Sequence, residues 1–174
     1  MEKEADYFSF FGIEPSFELD LNQLSARYRE LQKVMHPDRF AAASERERAL
    51  SMQKASMIND AFQTLKNPLS RAKYLLQLNG HALDDENNTV MAPDFLMTQM
   101  DLHDQLGAIK QANDPWMAVA DFQSSISQHE QALYVQFQQQ IGTQQWSDAA
   151  DSVRRLQFYN KLLHEAEAIE AQLD

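Results

Sequence analysis

The sequence predicts an all-α protein built in two parts, and three observations carry that prediction. The 174 residues include only 4 Gly and 5 Pro, among many Ala, Leu, Gln and Met, which is the usage of a chain that stays helical. Apolar residues recur at three- and four-residue spacing along most of the chain, with capping signals between the runs. Charge divides the chain. Residues up to Asn79 carry 11 Lys+Arg and 11 Asp+Glu, and residues from Gly80 onward carry 4 and 15. The whole net charge of −11 therefore sits in the second half. Halves so different are expected to face different partners.

The elements follow in order. A short helix is expected from Asp6 to Phe11, stopped by Gly12 and Pro15. Tyr7, Phe8, Phe10 and Phe11 are too many aromatics for a solvated tail, so most should dock on a core. Asp20 caps a second helix, with Gln23 three residues on completing a capping-box pattern. Leu21, Leu24, Tyr28, Leu31 and Met35 form its apolar stripe, and Arg29 and Lys33 fall on the solvated side. It ends near Met35, because His36 precedes Pro37. Ser44 and Glu47 begin a third helix, with Met52, Ala55, Ile58, Phe62 and Leu65 as its stripe, running to about Lys66. Two long helices joined by a short connection favour an antiparallel hairpin.

Asn67 and Pro68 then restart a helix over Leu69 to Leu78, closed by Gly80. Asp84-Asp85-Glu86-Asn87-Asn88 reads as an exposed linker within a polar 83–92 stretch. Three further helices are expected: Pro93 to Gln111, Pro115 to Gln140, and Gln144 to Gln172. The Gln-rich 136–145 segment keeps helical spacing at Phe137 and Ile141, so it reads as a helix end and turn. Trp116 and Trp146, near helix starts, are expected to pack the bundle. Arg154 and Arg155 are expected to pair with nearby acids.

Several chemistries are excluded. With no cysteine, the chain has no disulfide framework, no thiolate-held zinc or iron–sulfur cluster and no thiol nucleophile. The acidic balance argues against nucleic acid as a partner, since phosphate binding needs clustered positive charge. No apolar run approaches the roughly 18 residues of a membrane span. The opening Met1-Glu2-Lys3-Glu4-Ala5-Asp6 does not read as a signal peptide. Cytoplasmic localisation is the expectation. No metal and no cofactor are expected, because His81, His103, His129 and His164 stand at no ligand spacing.

Two constellations stand out. His36-Pro37-Asp38 lies between two capped helices. As a hydrolytic pair it is poor, because the two side chains are near neighbours on one connection with no nucleophile in view. A plain turn is the alternative. The other constellation is on the helix after Pro93. Phe95, Leu102, Leu106 and Ile109 cluster on one face at 100° per residue, which gives the helix a face to bury. Leu96, Met97 and Met100 point elsewhere, flanked by Asp101, His103 and Asp104. They are either wrapped by another element or exposed for a partner. On the last helix Phe158 lies off the stripe of Val153, Leu156, Tyr159 and Leu163. It reads either as part of that patch or as a core aromatic on a drifting stripe.

The first half resembles a J-domain, the module of DnaJ-type co-chaperones, which places His-Pro-Asp between a basic second helix and an antiparallel third. The motif here is His36-Pro37-Asp38, preceded by Arg27, Tyr28, Arg29 and Lys33. Asp6-Tyr7-Phe8, Gly12-Ile13, Ile58-Asn59, Ala61 and Thr64-Leu65 also fit. The run Pro68-Leu69-Ser70-Arg71-Ala72-Lys73-Tyr74-Leu75-Leu76 and the acidic helical second half resemble one subfamily, the HscB co-chaperones of iron–sulfur cluster assembly. The Gly/Phe-rich linker and zinc repeats of general DnaJ proteins are missing, which counts against broad recruitment of unfolded chains.

The resemblance implies an L-shaped protein with a J-domain over 1–76, a connector over 77–92 and a three-helix domain over 93–174. It implies a non-enzymatic co-chaperone of a DnaK-type ATPase, HscA, that delivers an IscU-type scaffold. His36, Pro37, Asp38, Arg29 and Lys33 would meet the ATPase. Leu96, Met97, Met100, Asp101, Asp104 and Phe158 would meet the scaffold. Asp101 is an aspartate where the subfamily usually has glutamate, and His103 stands where a basic residue is common. The rival from another class is a small hydrolase using His36 and Asp38, which predicts turnover without a partner.

Overall fold

The computed structural model describes residues 6–35, 44–83 and 93–173. They are helical with no strand, and the chain separates into two compact units, 1–80 and 81–174. In the first unit α1 is Tyr7–Phe10, α2 Leu21–Val34, α3 Glu45–Lys66 and α4 Pro68–Leu78. In the second, α5 is Pro93–Ala108, α6 Pro115–Gly142 and α7 Trp146–Glu170, and a short 3-10 turn at Ile109–Gln111 follows α5. His36, Pro37, Asp38 and the 84–88 linker lie outside the described residues.

Local chemistry sets the helix starts. The Asp20 side chain accepts from the amides of Asn22 and Gln23. Ser44 and Glu47 form the full capping box, each side chain bonding the other residue's amide, which satisfies donors a bare helix start leaves open. Asn67 caps α4 through the Ser70 amide with Pro68 in the first turn. Asp114 does the same for α6 through Met117, with Pro115 behind it.

The first unit buries Phe8, Phe11, Phe17, Leu24, Ile58, Ala61, Phe62, Leu65, Ala72, Leu75 and Leu76. Tyr28 stacks on Phe62 with centroids 4.0 Å apart, and its hydroxyl donates to the Asn59 side-chain oxygen Oδ1 at 2.6 Å. At the end of α2, the C-cap residue Met35 lines a groove with Ala55 of α3. The middle of α2 thus meets late α3 and its end meets the middle of α3, so the pair is antiparallel. Arg71 is buried, donates to the Leu65 carbonyl at 2.8 Å and stacks its guanidinium on Phe17. At Gly12, φ is +58°, and a Cβ would come within 2.8 Å of the Arg27 guanidinium, which donates to the Phe11 and Gly12 carbonyls. Glycine suits this turn on both counts.

Three expectations about burial fail. Met52 was placed in the α3 stripe and is 68% exposed. Ser51, one residue earlier, is buried instead, and at 100° per residue Met52 sits about 110° from the centre of the face that Ser51, Ile58, Phe62 and Leu65 share. Leu21 is exposed in the first turn of α2. Trp116 is 48% exposed. The buried α6 residues Val119, Phe122, Ile126, Phe137 and Gln140 share one face, and Trp116 sits about 90° from its centre at 100° per residue. Trp146 is half-buried, stacked on His81.

Candidate functional site

The outer face of α5 is built by the inner one. Phe95, Leu102, Leu106 and Ile109 are buried in one cluster with Val119, Phe122 and Ile126 of α6 and Tyr159, Leu162 and Ala166 of α7. With that stripe satisfied, helical phase turns Leu96, Met97 and Met100 away from the core. They are 55%, 71% and 61% exposed, and Asp101, His103 and Asp104 are exposed beside them. The choice between wider core burial and an outward patch resolves as an outward patch. Three large apolar side chains on one short stretch of helix form a surface that water solvates poorly.

Phe158 is half-buried. It packs against the core cluster and meets Phe95 edge-on at 5.5 Å and His103 at 5.6 Å. It is therefore a core aromatic whose rim reaches the patch, through His103. From Val153 onward the buried α7 residues are Val153, Leu156, Tyr159, Leu162 and Ala166, with Leu163 only partly buried. Repeated three-residue steps rotate the stripe by about 60° each, which carries the core face round towards Phe158.

Sequence reasoning missed one member. Arg154 pairs with Asp151 as expected, but the Arg155 guanidinium lies over the Phe95 ring, 4.8 Å from its centroid. This cation–π contact and the Tyr159 ring hold Phe95 at the start of α5. Burial pushes the Tyr159 hydroxyl pKa up, against the opposing charge of Arg155.

The first unit offers a different face. Arg29 and Lys33 are exposed on α2 and, with Leu31, Gln32 and Met35, border a groove of about 420 Å³ closed on the other side by Ala55, Ile58 and Asn59 of α3. Gln32 donates to the Tyr28 hydroxyl, tying the groove wall to the Tyr28–Asn59 bond. Among the described residues no group of three or more His, Asp or Glu could hold a metal ion, and no helix is long and apolar enough to cross a membrane.

Comparison with known proteins places the chain among relatives. Residues 91–167 match the family model described as the HSCB C-terminal oligomerisation domain. The co-chaperone protein HscB homolog of Aliivibrio fischeri is 46% identical over 168 residues, covering 97% of this chain and 98% of that one. The solved chaperone HscB from Vibrio cholerae is similar at 43% identity and TM-score 0.88, over 97% of this chain and 99% of that one. The human co-chaperone protein HscB superposes with TM-score 0.89 at 25% identity, over 98% of this chain and 84% of that one. Fold and likeness together define a helical co-chaperone. Within that class, the chain belongs to the HscB family.

Proposed function

We propose that this protein acts in the cytoplasm as the adaptor between an IscU-type iron–sulfur scaffold and the DnaK-type ATPase HscA. In this reading it brings the first to the second and stimulates ATP hydrolysis, with no bond chemistry of its own. The first unit, as a J-domain over 1–76, docks on the ATPase through His36, Pro37 and Asp38, with Arg29 and Lys33 steering toward an acidic surface. The region 93–174, joined through 77–92, holds the scaffold through Leu96, Met97, Met100, Asp101, Asp104 and Phe158.

The observation that carries the reading is the exposure of Leu96, Met97 and Met100 on a helix whose other face is already buried. An apolar group left in water costs about 25 cal/mol per Å², so burying this patch against a partner supplies affinity. Methionine adapts to an irregular apolar surface. The ATPase is biased between conformations only as far as this protein binds one state better than the other.

The test is turnover of the HscA-type ATPase with this protein and the scaffold added separately and together. The reading expects stimulation by this protein alone and a further rise when both are present. Stimulation that ignores the scaffold removes the adaptor role, and ATP-independent hydrolysis by this protein alone supports the hydrolase rival.

A further inference from the structure

The chain has 8 Met and no Cys, so every sulfur it can present to an oxidant is a thioether. Met97 is 71% exposed and Met100 61%. Three residues apart on α5, they are neighbours on one helix face. We propose that peroxide oxidation of Met97 and Met100 to sulfoxides switches off the outer face of α5 as a docking surface, and that reduction of the sulfoxides restores it. The inference rests on the scaffold-docking reading of that face.

The chemistry is a two-electron oxygen transfer. A thioether lone pair attacks one peroxide oxygen, the S–O bond forms as the O–O bond breaks, and the proton of the attacked oxygen leaves with the departing hydroxide as water. Sulfur is oxidised and the peroxide reduced. The product turns an apolar side chain into a polar one with a strong acceptor oxygen. On the free helix that oxygen stays hydrated, so the fold does not suffer. In a docked complex it is buried against an apolar surface without a donor, which is unfavourable. The cost therefore falls on binding alone.

The molecule carries its own controls. Met52 on α3 and Met117 on α6 are 68% and 63% exposed, so they oxidise alongside the pair while lying on other elements. A docked scaffold covers Met97 and Met100 and shields them, while Met52 and Met117 stay reactive.

The experiment treats the full chain with hydrogen peroxide, removes the oxidant, maps sulfoxides by peptide mass spectrometry and titrates the IscU-type scaffold by calorimetry before and after. The expected result is an affinity loss of at least about tenfold with an unchanged melting temperature. Stereospecific methionine sulfoxide reductases should reverse it. The Met97→Leu/Met100→Leu variant, whatever its starting affinity, should bind the same before and after treatment. The Met52→Leu/Met117→Leu variant should remain sensitive. Oxidised protein of unchanged affinity overturns the inference, as does a Met97→Leu/Met100→Leu variant as sensitive as the parent. No scaffold binding before treatment overturns the docking reading and this inference together. Equal binding before and after overturns this inference alone.

Discussion

The outer face of α5 is apolar where the outer face of α2 is charged. On α5, Leu96, Met97 and Met100 stand in water beside two aspartates. On α2, Arg29 and Lys33 stand beside a groove. The two faces are suited to different work. Burial of apolar surface is non-directional and is not screened by salt as charge is, so it holds a partner. Exposed charge speeds encounter and is screened within about 10 Å at 0.1 M salt. A protein that grips one partner and transiently engages another can use one face of each kind.

The largest expected effect sharpens the contrast within α5 itself. Phe95→Ala empties a buried position held by Tyr159, Phe158 and Arg155. It should destabilise the second unit by about 3–5 kcal/mol, read as a fall in urea midpoint. Met97→Ala, two residues on and facing water, should stay within about 0.5 kcal/mol. Equal costs would erase the distinction between the faces.

His36→Gln bears on the other partner. Stimulation of the ATPase should drop by about tenfold or more, the loss of roughly 1.4 kcal/mol of differential binding, while calorimetric scaffold affinity is retained. Arg29→Ala with Lys33→Ala should act more weakly. Stimulation should fall a few-fold at low ionic strength and lose its salt dependence, again without touching scaffold affinity. Loss of both partners together in a folded variant would break the division between the two faces.

The smallest effect is in pH, where the two units have opposite signs. Glu47 is held below the usual carboxylate range by the Ser44 amide and hydroxyl. Its contribution is present above the unfolded pKa and lost as pH falls through the folded one. Glu130, half-buried on α6 with one carboxylate oxygen making no hydrogen bond, is pushed up by burial, against the charge of His164. Its contribution is present below the unfolded pKa and lost as pH rises through the folded one. Melting temperatures between about pH 3 and 6 should show Glu47→Gln and Glu130→Gln changing the pH slope in opposite directions.

Helical phase made the α5 patch legible, because Phe95, Leu102, Leu106 and Ile109 already fill the inner stripe and leave Leu96, Met97 and Met100 in surplus. Caps were legible because capping is a local matter of a few residues, as at Asp20, Ser44–Glu47 and Asn67. Met52 and Trp116 were expected inside as large apolar residues, yet helical phase sets each about 90–110° from the centre of the buried face of its helix. The stripe on α7 was half legible. Its three-residue steps through Leu156, Tyr159 and Leu162 rotate the face, which also explains why Phe158 is both packed and marginal. Arg155 was assigned to an acid because charge pairing is visible in sequence, whereas the Phe95 ring under its guanidinium comes from another helix.

Calorimetric titration of the scaffold into Leu96→Ala/Met97→Ala/Met100→Ala, with a circular-dichroism melt of the same sample, tests the α5 face most directly. The variant should stay folded with a near-native melt, since alanine is a good helix former. Its affinity should be weaker by about 2–4 kcal/mol, or roughly 30- to 1,000-fold. A folded variant that binds the scaffold with native affinity would contradict the docking surface. One that unfolds would return the three residues to the core.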